Sequence, residues 1–329
     1  MRFRFWSETL GLDALASGAL LSVLAAHQTG LLCAVRPAAR DQLGPLLDAA
    51  AAAGVSVGLW PMLDDHHGRW INATNTDAAS DFVGALLDRY AHHESLTEIA
   101  LDLEPPFGLV ARLTNSLPRE ARPQATLPWS LHPRATERSL ARLIARIHRA
   151  GLSVTAAAVP LVLLDPTGGG TFEWALGTPV DRLDFDRVSV MLYTSMFEGW
   201  SWGMVSRRGA RSLLRLGAEA ALRRYQHRAS VSLGAIATGA LGDEPVYRNP
   251  DELADDLAVV RDVGITDVAL FDLGGAVARG PVTRWLGALG SSHRARVVPH
   301  RSHRLGWHLG AAVGRALPLF LRRFQQSSG

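Results

Sequence analysis

Two carboxylates spaced one residue apart, Asp102 and Glu104 in the run IALDLEPP, are the residues best placed to do chemistry. A β-strand alternates its side chains, so both acids project to one face while Leu101 and Leu103 take the other. Held side by side, the two carboxylates repel, and one of them gains proton affinity. That is how a general acid stays protonated near neutral pH. The plainer alternative is one carboxylate paired with an arginine such as Arg36. Asp64, Asp65, His66 and His67 form a second cluster, with oxygen and imidazole donors that would suit a divalent metal. Adjacent residues rarely ligate together, so a polar loop that holds no metal is expected there.

All 34 basic residues are arginine. Without a lysine amine the chain cannot run Schiff-base, pyridoxal, Walker-A or protein-kinase chemistry. Gly168 to Gly170 therefore reads as a flexible loop rather than a phosphate cradle. Cys33 stands alone, which excludes an internal disulfide and a thiolate zinc site and points to a reducing compartment. No cofactor is expected.

The elements that must position these residues alternate through the chain. Eight β-rich runs are predicted at Phe3 to Ser7, Gly30 to Arg36, Val55 to Leu63, Leu96 to Leu103, Leu152 to Leu163, Arg187 to Tyr193, Ala229 to Ala237 and Thr266 to Leu273. Helix-periodic segments lie between them, several closed by a glycine such as Gly54, Gly151 or Gly264. Strands apolar on both faces and covered by helices predict a parallel sheet. Eight such units predict a (β/α)8 TIM barrel over residues 1–290, and an open doubly wound sheet is the alternative. Long segments follow the third to sixth strands and gather at the C-terminal mouth of a barrel, where active sites form. Seven of the nine tryptophans fall at strand ends or in those loops: Trp6, Trp60, Trp70, Trp129, Trp174, Trp200 and Trp202. Indoles there would stack on the C–H faces of sugar rings, or on one another.

Asp102 and Glu104 on the fourth strand, with Met191 and Tyr193 in MLYT on the sixth, resemble the chitinase-like glycoside hydrolases of family 18. The resemblance implies a TIM barrel that cleaves a β-linked glycan. Glu104 would protonate the glycosidic oxygen, Asp102 would orient and stabilise a 2-acetamido group acting as internal nucleophile, and Tyr193 would hydrogen-bond the same group. Phe271 in ALFDLGG lies near the family's strand-eight tryptophan. Thr97 and Ala100 replace two aspartates of the family motif, and Thr194 replaces the acid after the tyrosine. Where the acetamido group is not used, the reaction needs a second carboxylate, and Asp272 and Glu8 are the candidates. Each could equally be a structural ion-pair member. Oligosaccharide or polysaccharide is thus the expected substrate. The alternatives are a sugar-binding barrel without turnover, and a metal-dependent hydrolase joining the Asp64 to His67 cluster to Asp102.

Charge is unevenly distributed. Seven arginines and no acid follow Ser291, so 27 arginines face 31 acids before it: a body near −4 carries a tail near +7. The sequence pI of 9.6 therefore describes an appendage, and no nucleic-acid partner is expected. In residues 291–329, Leu305, Leu309, Val313, Leu317, Phe320 and Phe324 share one helical face, with Arg304, Arg315 and Arg322 on another. Such an extension would dock on the barrel or contact an anionic membrane. Arg2 and Arg4 precede an apolar stretch from Ala14 to Ala26, but Glu8 and Asp13 argue against a signal peptide. A cytoplasmic protein is expected over a secreted one, with membrane association as an option through the tail.

Overall fold

The computed structural model describes residues 1–114, 133–201, 203–239, 242–291, 297–299 and 301–312. Eight parallel strands pair in chain order: β1 (Arg2–Ser7), β2 (Thr29–Val35), β3 (Val57–Pro61), β4 (Leu96–Leu103), β5 (Ser153–Ala158), β6 (Arg187–Met191), β7 (Ala229–Gly234) and β8 (Asp267–Phe271). β8 also pairs with β1, closing the barrel. Helices Gly44–Ala53, Thr76–Tyr90, Pro133–Arg149, Arg207–Tyr225 and Pro250–Val263 supply the main crossovers. The fold is the expected (β/α)8 barrel, and the open-sheet alternative is excluded. β5 stops at Ala158 instead of running to Leu163, because Pro160 has no N–H for the ladder and starts the 3-10 turn Pro160–Leu164.

Strand alternation divides the core into two shells. Leu31, Leu59, Ile99, Leu101, Val190, Val231 and Leu270 face outward and pack with the helices in one large apolar cluster. The alternate residues fill the barrel in layers. At the N-terminal end lies an ionic layer built on Arg4, which is 1% exposed. Its guanidinium meets Glu98 at 2.6 Å and also pairs with Asp267, while Thr155 and Ser230 donate to the two carboxylates at 2.7 and 2.6 Å. Gly58 makes this layer possible: a Cβ there would lie 2.6 Å from both Glu98 Cγ and Leu32 Cδ2. Above it Trp6, Leu32, Ala100, Ala157 and Ala269 form an apolar layer together with Trp60 and Phe271. Asp102 opens above that layer, at the C-terminal mouth.

Residues 301–312 form a helix laid against the outside of the barrel. Trp307 packs on the main core cluster, and Leu164 sits close enough to Gly310 that a Cβ there would be 3.0 Å away. Leu305 and Leu309 point outward, 61% and 59% exposed. The docked face is therefore not the leucine stripe expected from the sequence. It is the face carrying Trp307 and the small Gly310, which permits the closer approach. Positions 313–329 of the stripe lie outside the described residues. Among the described residues no helix is long and apolar enough to cross a membrane.

Candidate active site

Strand ends β1, β3, β4, β6 and β8 converge on a cleft of about 440 Å³. Its lining includes Glu8, Asp102, Glu104 and Glu244, with Trp6, Trp60, Trp70, Met191, Tyr193, Trp200 and Phe271 as its apolar and aromatic wall. The rings are mutually packed: Trp6 meets Trp60 edge-on at 5.0 Å, and Tyr193 stacks on Phe271 at 5.7 Å. Trp6 is anchored by donating its indole N–H to Ser232 at 3.0 Å. Trp200, 42% exposed, stands at the rim.

The loop after β3 fixes Glu104 just beyond its strand. Ile71 N donates to Asp102 O at 2.8 Å, extending β4 by one bridge. Asn72 Nδ2 then donates to the carbonyls of Glu104 and Trp70 at 3.1 and 3.0 Å, and Asn75 Nδ2 holds Trp70 O at 2.7 Å. Arg69 crosses the same loop, with Nη1 3.4 Å from Glu8 and Nε and Nη2 on Asp65 at 2.8 and 2.9 Å. Its guanidinium also lies 4.1 Å over the Phe107 ring. Arg36, the sequence-based alternative partner for the strand-four acids, pairs instead with Asp65 at 3.4 Å.

Burial and mutual repulsion raise the proton affinity of the acids. Burial, with the charges of Glu8 and Glu244, pushes Glu104 up to about 8, opposed by Arg69. Burial and the charges of Glu104 and Glu8 likewise hold Asp102 well above the usual carboxylate range. Glu8 is pushed up to about 7, chiefly by burial, against the pull of Arg69. Tyr193 is also raised, by burial and then by Asp102, and keeps its phenolic proton. Asp102 is 3% exposed, and its Oδ1 has no hydrogen-bond partner among the described residues. The indole N–H of Trp60 opposes the rise at Asp102 without reaching hydrogen-bond geometry, and it too is unpartnered. Asp102 and the Trp60 indole N–H thus face one another in the cleft, just outside hydrogen-bond geometry.

Asp272 departs from its expected catalytic place. It is 1% exposed and caps the helix Leu273–Ala278, accepting from Gly275 N at 2.9 Å and from the Thr9 hydroxyl at 3.4 Å. It does not line the cleft. Trp202 and Trp129 lie outside the described residues. Asp64, His66 and His67 bring their ligand atoms within 4.8 Å of one another, yet none lines the cleft that holds Asp102, so the site for a metal-dependent reaction is not assembled there. Glu244 was not anticipated. It sits in the segment between β7 and the helix Pro250–Val263, 6% exposed, with Gly239 N donating to it at 3.0 Å. Its signal in the sequence was the acidic pair Asp243–Glu244 in a fifth long connection following a strand.

Fold and site together define a (β/α)8 barrel with an acidic, aromatic-walled mouth. In fold it is similar to the PgaB (BpsB) glycoside hydrolase domain from Bordetella bronchiseptica, with 14% identity over 88% of this chain and 97% of that one and a TM-score of 0.55. It is also similar to a β-1,3-glucanosyltransferase from Rhizomucor miehei, with 14% identity, 82% and 86% coverage and a TM-score of 0.52. A third similar barrel is the spore cortex-lytic enzyme SleL of Bacillus megaterium, with 13% identity, 91% and 75% coverage and a TM-score of 0.52. No protein-family model and no curated protein sequence matches the chain.

Proposed function

We propose that this barrel hydrolyses a β-linked glycan with Glu104 as general acid and base. The observation that carries the reading is geometric: Glu104, Asp102 and Tyr193 line one tryptophan-walled cleft at the C-terminal mouth of the barrel, where burial raises the proton affinity of Glu104. At neutral pH Glu104 holds the proton that the departing glycosidic oxygen needs. Asp102, two residues before Glu104 and lining the same cleft, stabilises in its ionised form the positive charge that develops at the anomeric carbon. After bond cleavage Glu104, now ionised, takes a proton from the attacking water. Tyr193 keeps its O–H as a donor to the substrate, and the indoles of Trp6, Trp60, Trp70 and Trp200 offer stacking faces for sugar rings. The glycan-related activities of the similar barrels support the same substrate class.

The test is incubation with β-1,3- and β-1,4-linked oligosaccharides in ¹⁸O-water, read by mass spectrometry. Shortened oligosaccharides labelled at the new reducing end are expected, with no effect of a chelator. Tight binding of an oligosaccharide without cleavage would replace the hydrolase reading with a sugar-binding barrel. Loss of cleavage on chelation, restored by zinc or manganese, would point to metal-dependent chemistry.

A further inference from the structure

A second cavity, of about 580 Å³, lies outside the barrel, between the helix 301–312, the helix Arg207–Tyr225 and the 3-10 turn Pro160–Leu164. It shares no lining residue with the cleft at the mouth. Its charged and titratable lining consists of Arg223, Arg224, Arg304, His308, Asp165 and Glu219. Three of these are engaged elsewhere. Arg224 lies on Asp181 at 2.7 Å and donates to the carbonyls of Val162 and Asp165, both at 2.8 Å. The Asp165 carboxylate accepts from Phe172 N and Glu173 N at 2.9 and 2.8 Å. Glu219 takes Arg215 Nε at 2.9 Å. Arg223, Arg304 and His308 are left without a hydrogen-bond or ion-pair partner among the described residues. Two free guanidiniums and an imidazole around one cavity, with the Trp307 indole in its wall, form a donor set for a phosphoryl group.

The surface around the cavity favours a lipid over a soluble phosphate compound. Half of the exposed large apolar side chains among the described residues belong here: Leu161 on the 3-10 turn, Val298 just before the helix 301–312, and Leu305 and Leu309 on that helix. Leu305 and Leu309 each follow a cavity residue, Arg304 and His308, by one position, so an apolar stripe runs along the helix beside the basic one. An ion dissolved in water gains nothing from such a stripe, whereas a phospholipid offers acyl chains to the leucines and a phosphoryl group to the arginines. We propose that this cavity seats the headgroup of an anionic phospholipid and fixes how the barrel sits on a membrane surface. Arg223, from the barrel, and Arg304, from the extension, donate to the phosphoryl oxygens, and His308 adds a ring N–H. The seven arginines that follow Ser291 supply the longer-range attraction that brings the protein to the surface.

The experiment is sedimentation of the full chain with phosphatidylcholine vesicles, with and without phosphatidylserine, beside calorimetric titration with inorganic phosphate at matched ionic strength. The proteins are wild type, Arg223→Gln, Arg304→Gln and Arg301→Gln. Arg301 is exposed on the same helix as Arg304 but does not line the cavity, so its replacement removes an equal charge outside the site. Wild type is expected to sediment only with the phosphatidylserine vesicles. Arg223→Gln and Arg304→Gln are each expected to lower the partition coefficient at least about twentyfold, because each loses charge-assisted hydrogen bonds as well as charge. Arg301→Gln loses charge alone and is expected to fall about fivefold or less, a difference that shrinks as salt rises. Equal losses for the three variants would overturn the proposal in favour of diffuse attraction to the tail. Wild-type affinity in Arg223→Gln would also overturn it, since the barrel side of the cavity would then take no part. Binding of inorganic phosphate without binding of vesicles would replace the lipid with a soluble phosphate compound, and binding of neither would remove the site.

Discussion

Replacing Glu104 with glutamine is expected to stabilise the protein in alkali and to leave it unchanged in acid. Folded Glu104 binds its proton up to about 8, against an ordinary 4.5. A carboxyl raised in this way favours the fold below about 4.5, and the contribution is lost as the pH climbs through about 8. Each pH unit between the two values corresponds to about 1.4 kcal/mol, a ceiling of about 5 kcal/mol at pH 9. The cleft is open to water, which screens the ionised form and brings the expected penalty to about 1–3 kcal/mol. Glutamine keeps the shape and cannot ionise, so it removes that penalty. In a chain of this size the gain is about 2–5 °C in Tm at pH 9 and under about 1 °C at pH 5. Thermal melts of both proteins across that range check it. A gain equal at both pH values would trace to packing rather than charge, and no gain at pH 9 would refute the claim that the cleft strains its carboxylates.

Arg4→Met should destabilise the barrel by about 3–5 kcal/mol, because Glu98 and Asp267 would remain buried without their shared cation. A melting temperature within about 1 °C of wild type would show that Arg2, 2.9 Å from Glu98, and Arg187, 3.2 Å from Asp267, suffice. Asp272→Ala should remove the cap of the helix Leu273–Ala278 and cost about 1 kcal/mol while keeping kcat within about threefold. A rate loss above a hundredfold would return Asp272 to the chemistry. Removing residues 301–329 should abolish sedimentation with phosphatidylserine vesicles, since each arginine near an anionic surface contributes about 1 kcal/mol. It should also lower Tm by a few degrees by uncovering Leu164. Unchanged sedimentation would remove the anionic membrane as a partner of the tail.

Much of the barrel is legible from strand composition, because parallel strands buried on both faces need Val, Leu and Ala runs, and each run is followed by a helix-periodic segment. The parity of β4 also predicts that Asp102 points inward, since Leu101 and Leu103 must meet the helices. Arg4 follows the same parity with Trp6, but nothing local to it points to its partners Glu98 and Asp267, which are distant in sequence. Glu244 escapes for a similar reason. It lies well beyond its strand, and only closure of the barrel carries its loop over the mouth. Asp272, a catalytic candidate from the sequence, also carries a local signal for a structural role, a carboxylate three residues before Gly275 at the start of a short helix, which is the spacing of an N-cap. Asn72 and Asn75 hold Trp70 and the Glu104 carbonyl through side-chain bonds that no periodicity reports.

The most direct test of the account is the rate of Glu104→Gln on an oligosaccharide that the wild-type protein cleaves, measured together with the affinity of the same ligand. Glutamine has no proton to give the leaving oxygen, so kcat is expected to fall by about 10² to 10⁴. Shape and stacking are retained, so Kd should stay within about threefold. A folded Glu104→Gln protein that cleaves at the wild-type rate would contradict the account, because the glycosidic oxygen would then be taking its proton from another group.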